Sequence, residues 1–208
     1  MKIVLGKSED TITMVLDNLS SNHDFGNVSI FNNLKLDSKE DIYHPDFTIS
    51  IVEEMTLTDI SEFILGIYNP NPKKKIIESF GFKPDRFLNV VHKSAQISKT
   101  TSLGYGCLIN SNVSIAGKSS IGDFVSINRN SSIGHHTIIE NFCSINPGSN
   151  IAGHCHIGEG TLIGMGSQVL NGISIGKNSI IGAGSVVTKD IPDNVVAWGS
   201  PCKIQRYA

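Results

Sequence analysis

Beginning at Ile97 and stepping six residues at a time, the chain reads Leu103, Ile109, Ile115, Ile121, Ile127, Ile133, Ile139, Ile145, Ile151, Ile157, Ile163, Val169, Ile175, Ile181 and Val187. Every position is Ile, Leu or Val, the register never slips, and Val91 extends the row backwards. Four residues after each aliphatic stands a small or β-branched residue in nearly every case, among them Cys107, Ser119, Thr137, Cys143, Cys155 and Thr161. A helix repeats at about 3.6 residues and a strand at about 2, so a period of six marks a stacked repeat. It predicts a parallel β-helix, in which one repeat cannot bury its apolar face alone and neighbouring coils bury it together. Three hexads per triangular coil would place residues 18 apart in vertical columns, with strands about 4.8 Å apart.

The columns test this rule within the sequence. Asn110, Asn128 and Asn146 share one, continued by Gly164 and Gly182. Gly104, Gly122, Gly158 and Gly176 share another, interrupted by Glu140. Stacked Asn side chains can bond along a ladder, which accounts for Asn128 without a ligand. The glycines are expected at corners whose backbone other residues avoid.

One corner departs from this background. Residues Ile133-Gly134-His135-His136 and Gly153-His154-Cys155-His156 hold four of the seven histidines in adjacent coils. His136 stacks on His154, His135 on Gly153, and Ile138 on His156. Metal ligation, acid–base catalysis and plain surface polarity are all open to such a group. No carboxylate column accompanies it and its spacing matches no familiar zinc pattern, so no metal is expected.

Ahead of the repeats the pattern changes. Strands are expected at residues 2–5, 28–31 and 47–52, the last entered through a turn at Asp46. Residues 11–19 read as an amphipathic helix with Asp10 as its N-cap, and 57–65 as helix or strand. Residues 66–72, with two Asn-Pro steps, read as a loop, then 73–80 as a helix stopped by Gly81. A strand at 87–91 leads into the coils. This alternation predicts a small α/β, Rossmann-like unit with a parallel sheet over residues 1–87, and a β-helix with a C-terminal closing segment over 88–208. The turn after the first strand keeps only Gly6, a weak form of a phosphate-binding turn.

Net charge is −2 and charges are dispersed, which argues against nucleic acid and membrane-surface partners. No apolar run reaches the roughly 18 residues of a membrane span, and no signal peptide is visible, so a cytoplasmic protein is expected. The four cysteines form no Cys-x-x-Cys pair, and three occupy inward repeat positions, where buried thiols are expected.

The repeat resembles the hexapeptide acyltransferases. The tail, from Ile181-Gly182-Ala183-Gly184 through Trp198-Gly199-Ser200-Pro201, is similar to their last coil and closing turn. The N-terminal α/β unit, Asn128, Ile133-Gly134-His135-His136, Pro147-Gly148 and Ala152-Gly153 together resemble the bacterial sugar acetyltransferases, both the sialic acid O-acetyltransferases and the N-acetyltransferases of nucleotide-linked 4-amino-6-deoxy sugars.

That resemblance implies a left-handed β-helix, a homotrimer, and acetyl-CoA bound between neighbouring prisms. It places the catalytic base on His135. His136 takes the position of its usual acidic partner, a departure from the family. Ser144 falls near the acetyl-CoA, Gly153 supplies a backbone amide near the thioester, and Met165 and Ala183 line the pantetheine. For the nucleotide-linked sugar it points to Gly6, Asn32, Asn33 and Lys73, with Asn32 and Asn33 replacing an acidic pair; Asn128 joins them. The expected activity is N-acetylation of an amino sugar nucleotide in bacterial surface-glycan synthesis. A sialic-acid-type O-acetyltransferase and a non-catalytic β-helix scaffold are the alternatives.

Overall fold

A computed structural model describes residues 2–6, 9–22, 26–31, 44–52 and 62–208. The N-terminal part has strands β1 (Lys2–Gly6), β2 (Gly26–Phe31), β3 (Phe47–Val52) and β4 (Glu62–Gly66), with helices α1 (Glu9–Ser21) and α2 (Pro70–Phe80). The strands pair in parallel in the order β3-β2-β1-β4. Helix α1 buries Ile12, Val15, Leu16 and Leu19, the face expected from their spacing. It begins at Glu9, so Asp10 lies inside the helix and is not its N-cap. The expected loop over 66–72 is shorter. Helix α2 starts at Pro70, because the first helical turn needs no N–H donor there and tolerates both prolines. Gly81 ends it in the left-handed conformation, φ 62°, its N–H bonded to Ile77 O. Residues 57–61, Asn32 and Asn33 lie outside the described residues.

From Val90–Val91 onward the chain winds as a parallel β-solenoid of two-residue strands. Three sheets form its faces, and the rungs join residues 18 apart, as in Ser132↔Asn150 and Ile138↔His156, until the last coil, which closes 16 apart at Ile175↔Ile191 and Ile180↔Val196. The hexad aliphatics from Ile109 to Val187 are all buried along its axis. Each such side chain contributes on the order of 1.5–3 kcal/mol. The small positions are buried too, and most of those that are Ser, Thr or Cys donate to a carbonyl of the next coil. Ser131 Oγ reaches Asn146 O at 3.0 Å, Thr137 Oγ1 reaches Ala152 O at 3.0 Å, and Cys143 Sγ reaches Gly158 O at 3.1 Å. Ser, Thr and Cys recur here because each is a small donor, while Val113 and Val125 meet only the demand for small volume.

The glycine columns have a different cause from the one expected. Gly104, Gly122, Gly158 and Gly176 are not in the left-handed region. A Cβ at Gly158 would lie 2.5 Å from Lys177 N, and one at Gly104 2.7 Å from Gly122 C, so backbone approach between coils excludes a side chain. The left-handed conformation falls instead two residues later, at every sixth position from Gly106 to Gly184, His136 and His154 included.

The N-terminal sheet packs directly on the coil. One core joins Val4, Leu16, Ile30 and Ile64 to Val90 and Leu108. Another joins Ile3, Leu5, Phe63 and Phe87 to Phe124. At the far end Val195–Gly199 adds in parallel to the sheet at Ile180, and Cys202–Tyr207 folds back antiparallel on it. Among the described residues no helix is long and apolar enough to cross a membrane.

Candidate active site

The histidine corner connects the strands Ser132–Ile133 and Ile138–Ile139. His136 and His154 both hold the left-handed corner conformation, φ 57° and 59°, one rung apart. That shared geometry sends their side chains the same way, and their rings stack at 4.8 Å and 11°. His135 stands edge-on to both, 5.2 Å from the His136 ring and 4.9 Å from that of His154. His135 Nδ1 lies 3.0 Å from His136 Nδ1, so one imidazole donates an N–H and the other accepts it. All three residues are exposed. Desolvation, then the neighbouring His154, Lys118 and His135, hold His136 below the usual histidine range, so near neutral pH it is an uncharged imidazole.

Gly153 lies beneath the His135 ring. A Cβ there would come 2.9 Å from His135 Cε1 and 3.0 Å from Nε2, so the ring rests on a surface only glycine provides. The Gly153 N–H has no acceptor among the described residues. An imidazole and a free amide at one corner can take a proton and stabilise a developing oxyanion.

Met165 and Ala183 are stacked and exposed, with Gly184 N bonding Met165 O at 2.8 Å. Four other expected site residues lie elsewhere. Ser144 is buried under the N-terminal part, donating to Tyr68 O. Lys73 is wholly buried against the coil, its Nζ 2.8 Å from Phe124 O and 3.0 Å from Ser126 Oγ, so it is a strut between helix and coil and not an open ligand for nucleotide. Asn128 is buried and continues a ladder from Asn18 through Asn110, with contacts of 2.7 and 3.3 Å. Gly6 is buried, where a Cβ would meet Ile12 Cγ1 at 3.0 Å; its smallness serves the packing of α1 on β1.

Two surface cavities, of about 570 and 660 Å³, lie away from His135. One is lined by Glu140, His156 and Asp193, the other by Pro70, Ile180 and Arg206. The corner itself is exposed, and among the described residues His135, His136 and His154 line neither cavity. His154 was read from the sequence only as a neighbour of His136, yet it also touches the His135 ring; the 18-residue column was the signal for it. His156 is separate, paired with Glu140 at 2.8 Å.

The family model of the bacterial transferase hexapeptide (six repeats) matches residues 154–189. No curated protein matches the chain. Among solved structures, the acetyltransferase domain of PglB from Neisseria gonorrhoeae in complex with acetyl coenzyme A is 21% identical over 98% of each chain, with a TM-score of 0.83. A mutant of perosamine N-acetyltransferase from Caulobacter crescentus, in complex with CoA and GDP-perosamine, is 26% identical over 98% of this chain and 96% of that one, with a TM-score of 0.85. The chain thus combines a bacterial transferase hexapeptide repeat with near full-length similarity to a sugar N-acetyltransferase.

Proposed function

We propose that this protein transfers the acetyl group of acetyl-CoA to the amino group of a nucleotide-linked amino-deoxy sugar. The observation that carries the reading is the His135 imidazole, tied through Nδ1 to His136 and resting on Gly153 beside a free amide. In this reading the sugar amine attacks the thioester carbonyl. His135 accepts its proton at Nε2, with the Nδ1 proton donated to the uncharged His136. The Gly153 amide stabilises the oxyanion, and collapse expels the thiolate of coenzyme A. No acyl-enzyme is needed. Cys143 is fully buried, and burial pushes its thiol up to about 12.

The reading assigns residues 1–87 to the sugar nucleotide and 88–208, as a left-handed coil, to acetyl transfer. Met165 and Ala183 lie along the CoA path. With Gly6, Lys73 and Asn128 buried, the nucleotide is left to Asn32, Asn33 and their neighbours. A homotrimer supplies a second wall at His135, and exposed Ile138 and Met165 are apolar surface for it to cover. The place of action is the cytoplasm, where acetyl-CoA and nucleotide sugars are made, and the product feeds surface glycans.

The test is release of free coenzyme A over a panel of amino and hydroxy sugars, free and nucleotide-linked. Acetylation of an amino sugar nucleotide is expected, falling by about 10²-fold or more in His135→Ala. Preference for a sugar hydroxyl, or turnover unaltered in that variant, would overturn the N-acetyl reading or the base.

A further inference from the structure

The proton transfer proposed above uses His135, His136 and the Gly153 amide, and leaves the His154 ring beside them without a part. We propose that His135, His136 and His154 form a binding site for a divalent transition metal such as zinc, and that metal bound there switches the base off. The switch rests on the transferase reading above; the site itself does not.

The ligand nitrogens of the three residues all lie within 4.8 Å of one another. A tetrahedral zinc with bonds of about 2.0–2.1 Å needs nitrogens roughly 3.4 Å apart. The His135–His136 separation of 3.0 Å is already near that value. The remaining gap closes by rotation of exposed side chains. The backbone does the costly part, because both left-handed corners are set by the coil and stack His136 on His154. The donor set is purely imidazole, which selects zinc, nickel or copper over magnesium or calcium. Glu140 is engaged by His156, Lys118 lies near His136, and among the described residues the grouped ligands are imidazoles alone, which does not suit a hard cation. That lysine also keeps the affinity below that of a site with an acidic ligand.

The consequence follows from the valence of imidazole. A metal seated between the two Nδ1 atoms takes the Nδ1 lone pair of His135. The single ring proton of neutral His135, formerly on Nδ1, is given up to water and replaced by one taken up at Nε2, so the metal-bound imidazole is the Nε2–H tautomer. Nε2 then has no lone pair for the sugar ammonium proton, and transfer stops without any block to substrate.

Zinc chloride, with magnesium chloride as control, is titrated calorimetrically into the wild-type protein and into His154→Asn. Asparagine is chosen because Asn112, Asn130 and Asn178 hold the same corner at φ 57°, 58° and 52°, so the fold is kept. One zinc per chain is expected for the wild type, roughly 10- to 100-fold weaker in the variant, with magnesium silent. Coenzyme A release should be inhibited by zinc and restored by a chelator, each protein being compared with its own metal-free rate. The inhibition midpoint should move with the affinity. Equal zinc affinity in both proteins, or none in the wild type, overturns the site. Binding without inhibition overturns the switch. Binding as expected in a protein that acetylates no sugar overturns the transferase reading and leaves the site standing.

Discussion

Replacing Lys73 with methionine isolates the electrostatics of the contact between α2 and the coil. The Lys73 ammonium is wholly buried and meets only neutral acceptors: Phe124 O at 2.8 Å, Ser126 Oγ at 3.0 Å, and Cys143 O and Ser144 Oγ at 3.4 Å. Burial lowers its pKa from 10.5 to about 7. At about 1.4 kcal/mol per pKa unit, keeping the charge in that site costs about 5 kcal/mol. The folded pKa lies below the unfolded one, so the unfolded chain holds more protons between the two values. Stability therefore rises with pH across that window: the cost is fully present below the folded pKa and gone above the unfolded one. Between about pH 7 and about pH 9 the wild type should gain about 2 kcal/mol from this group. Methionine has a similar shape and no charge. Lys73→Met lacks that slope, at the price of about 1–3 kcal/mol for the carbonyl of Phe124 left without its donor. Denaturant unfolding of both proteins, at one protein concentration and several pH values, measures the difference. The wild type should gain on the variant as pH rises. Parallel curves would refute the reasoning, since every other titrating group is common to both proteins.

Two further outcomes are expected. Cys143→Ser should change neither turnover nor fold, since serine is already the donor at equivalent positions such as Ser131 and Ser149; lost turnover, with acetyl found on the wild-type thiol, would instead show a covalent route. His136→Asp places a carboxylate beside His135 and favours its charged form, so the acid limb of the pH–rate profile should move to higher pH; an unmoved limb would remove His136 from the base's environment.

The histidine corner is legible in the sequence because the coil is nearly one-dimensional. Each residue's neighbours lie one rung above and below, and an unbroken register of six is enough to name them. His135 over Gly153 and His136 on His154 follow from counting. Local detail within the coil was less legible. The glycine columns and the left-handed corners sit two residues apart, and only the backbone separated close approach from conformational need.

The N-terminal part shows the opposite limit. Its strands, and the helical face of α1, can be read from alternation and spacing, which are properties of short segments. Where α2 would lie on the coil is not such a property. Docking placed the Lys73 ammonium among coil carbonyls, took Ser144 and Asn128 out of solvent, and turned three residues expected to meet ligands into contacts within the fold. The sequence by itself determined the solenoid, its register and the imidazole that faces Gly153, because periodic burial leaves one arrangement. Only the tertiary structure decided which polar groups remain open to a substrate, because burial between non-repeating elements depends on contacts distant in the chain.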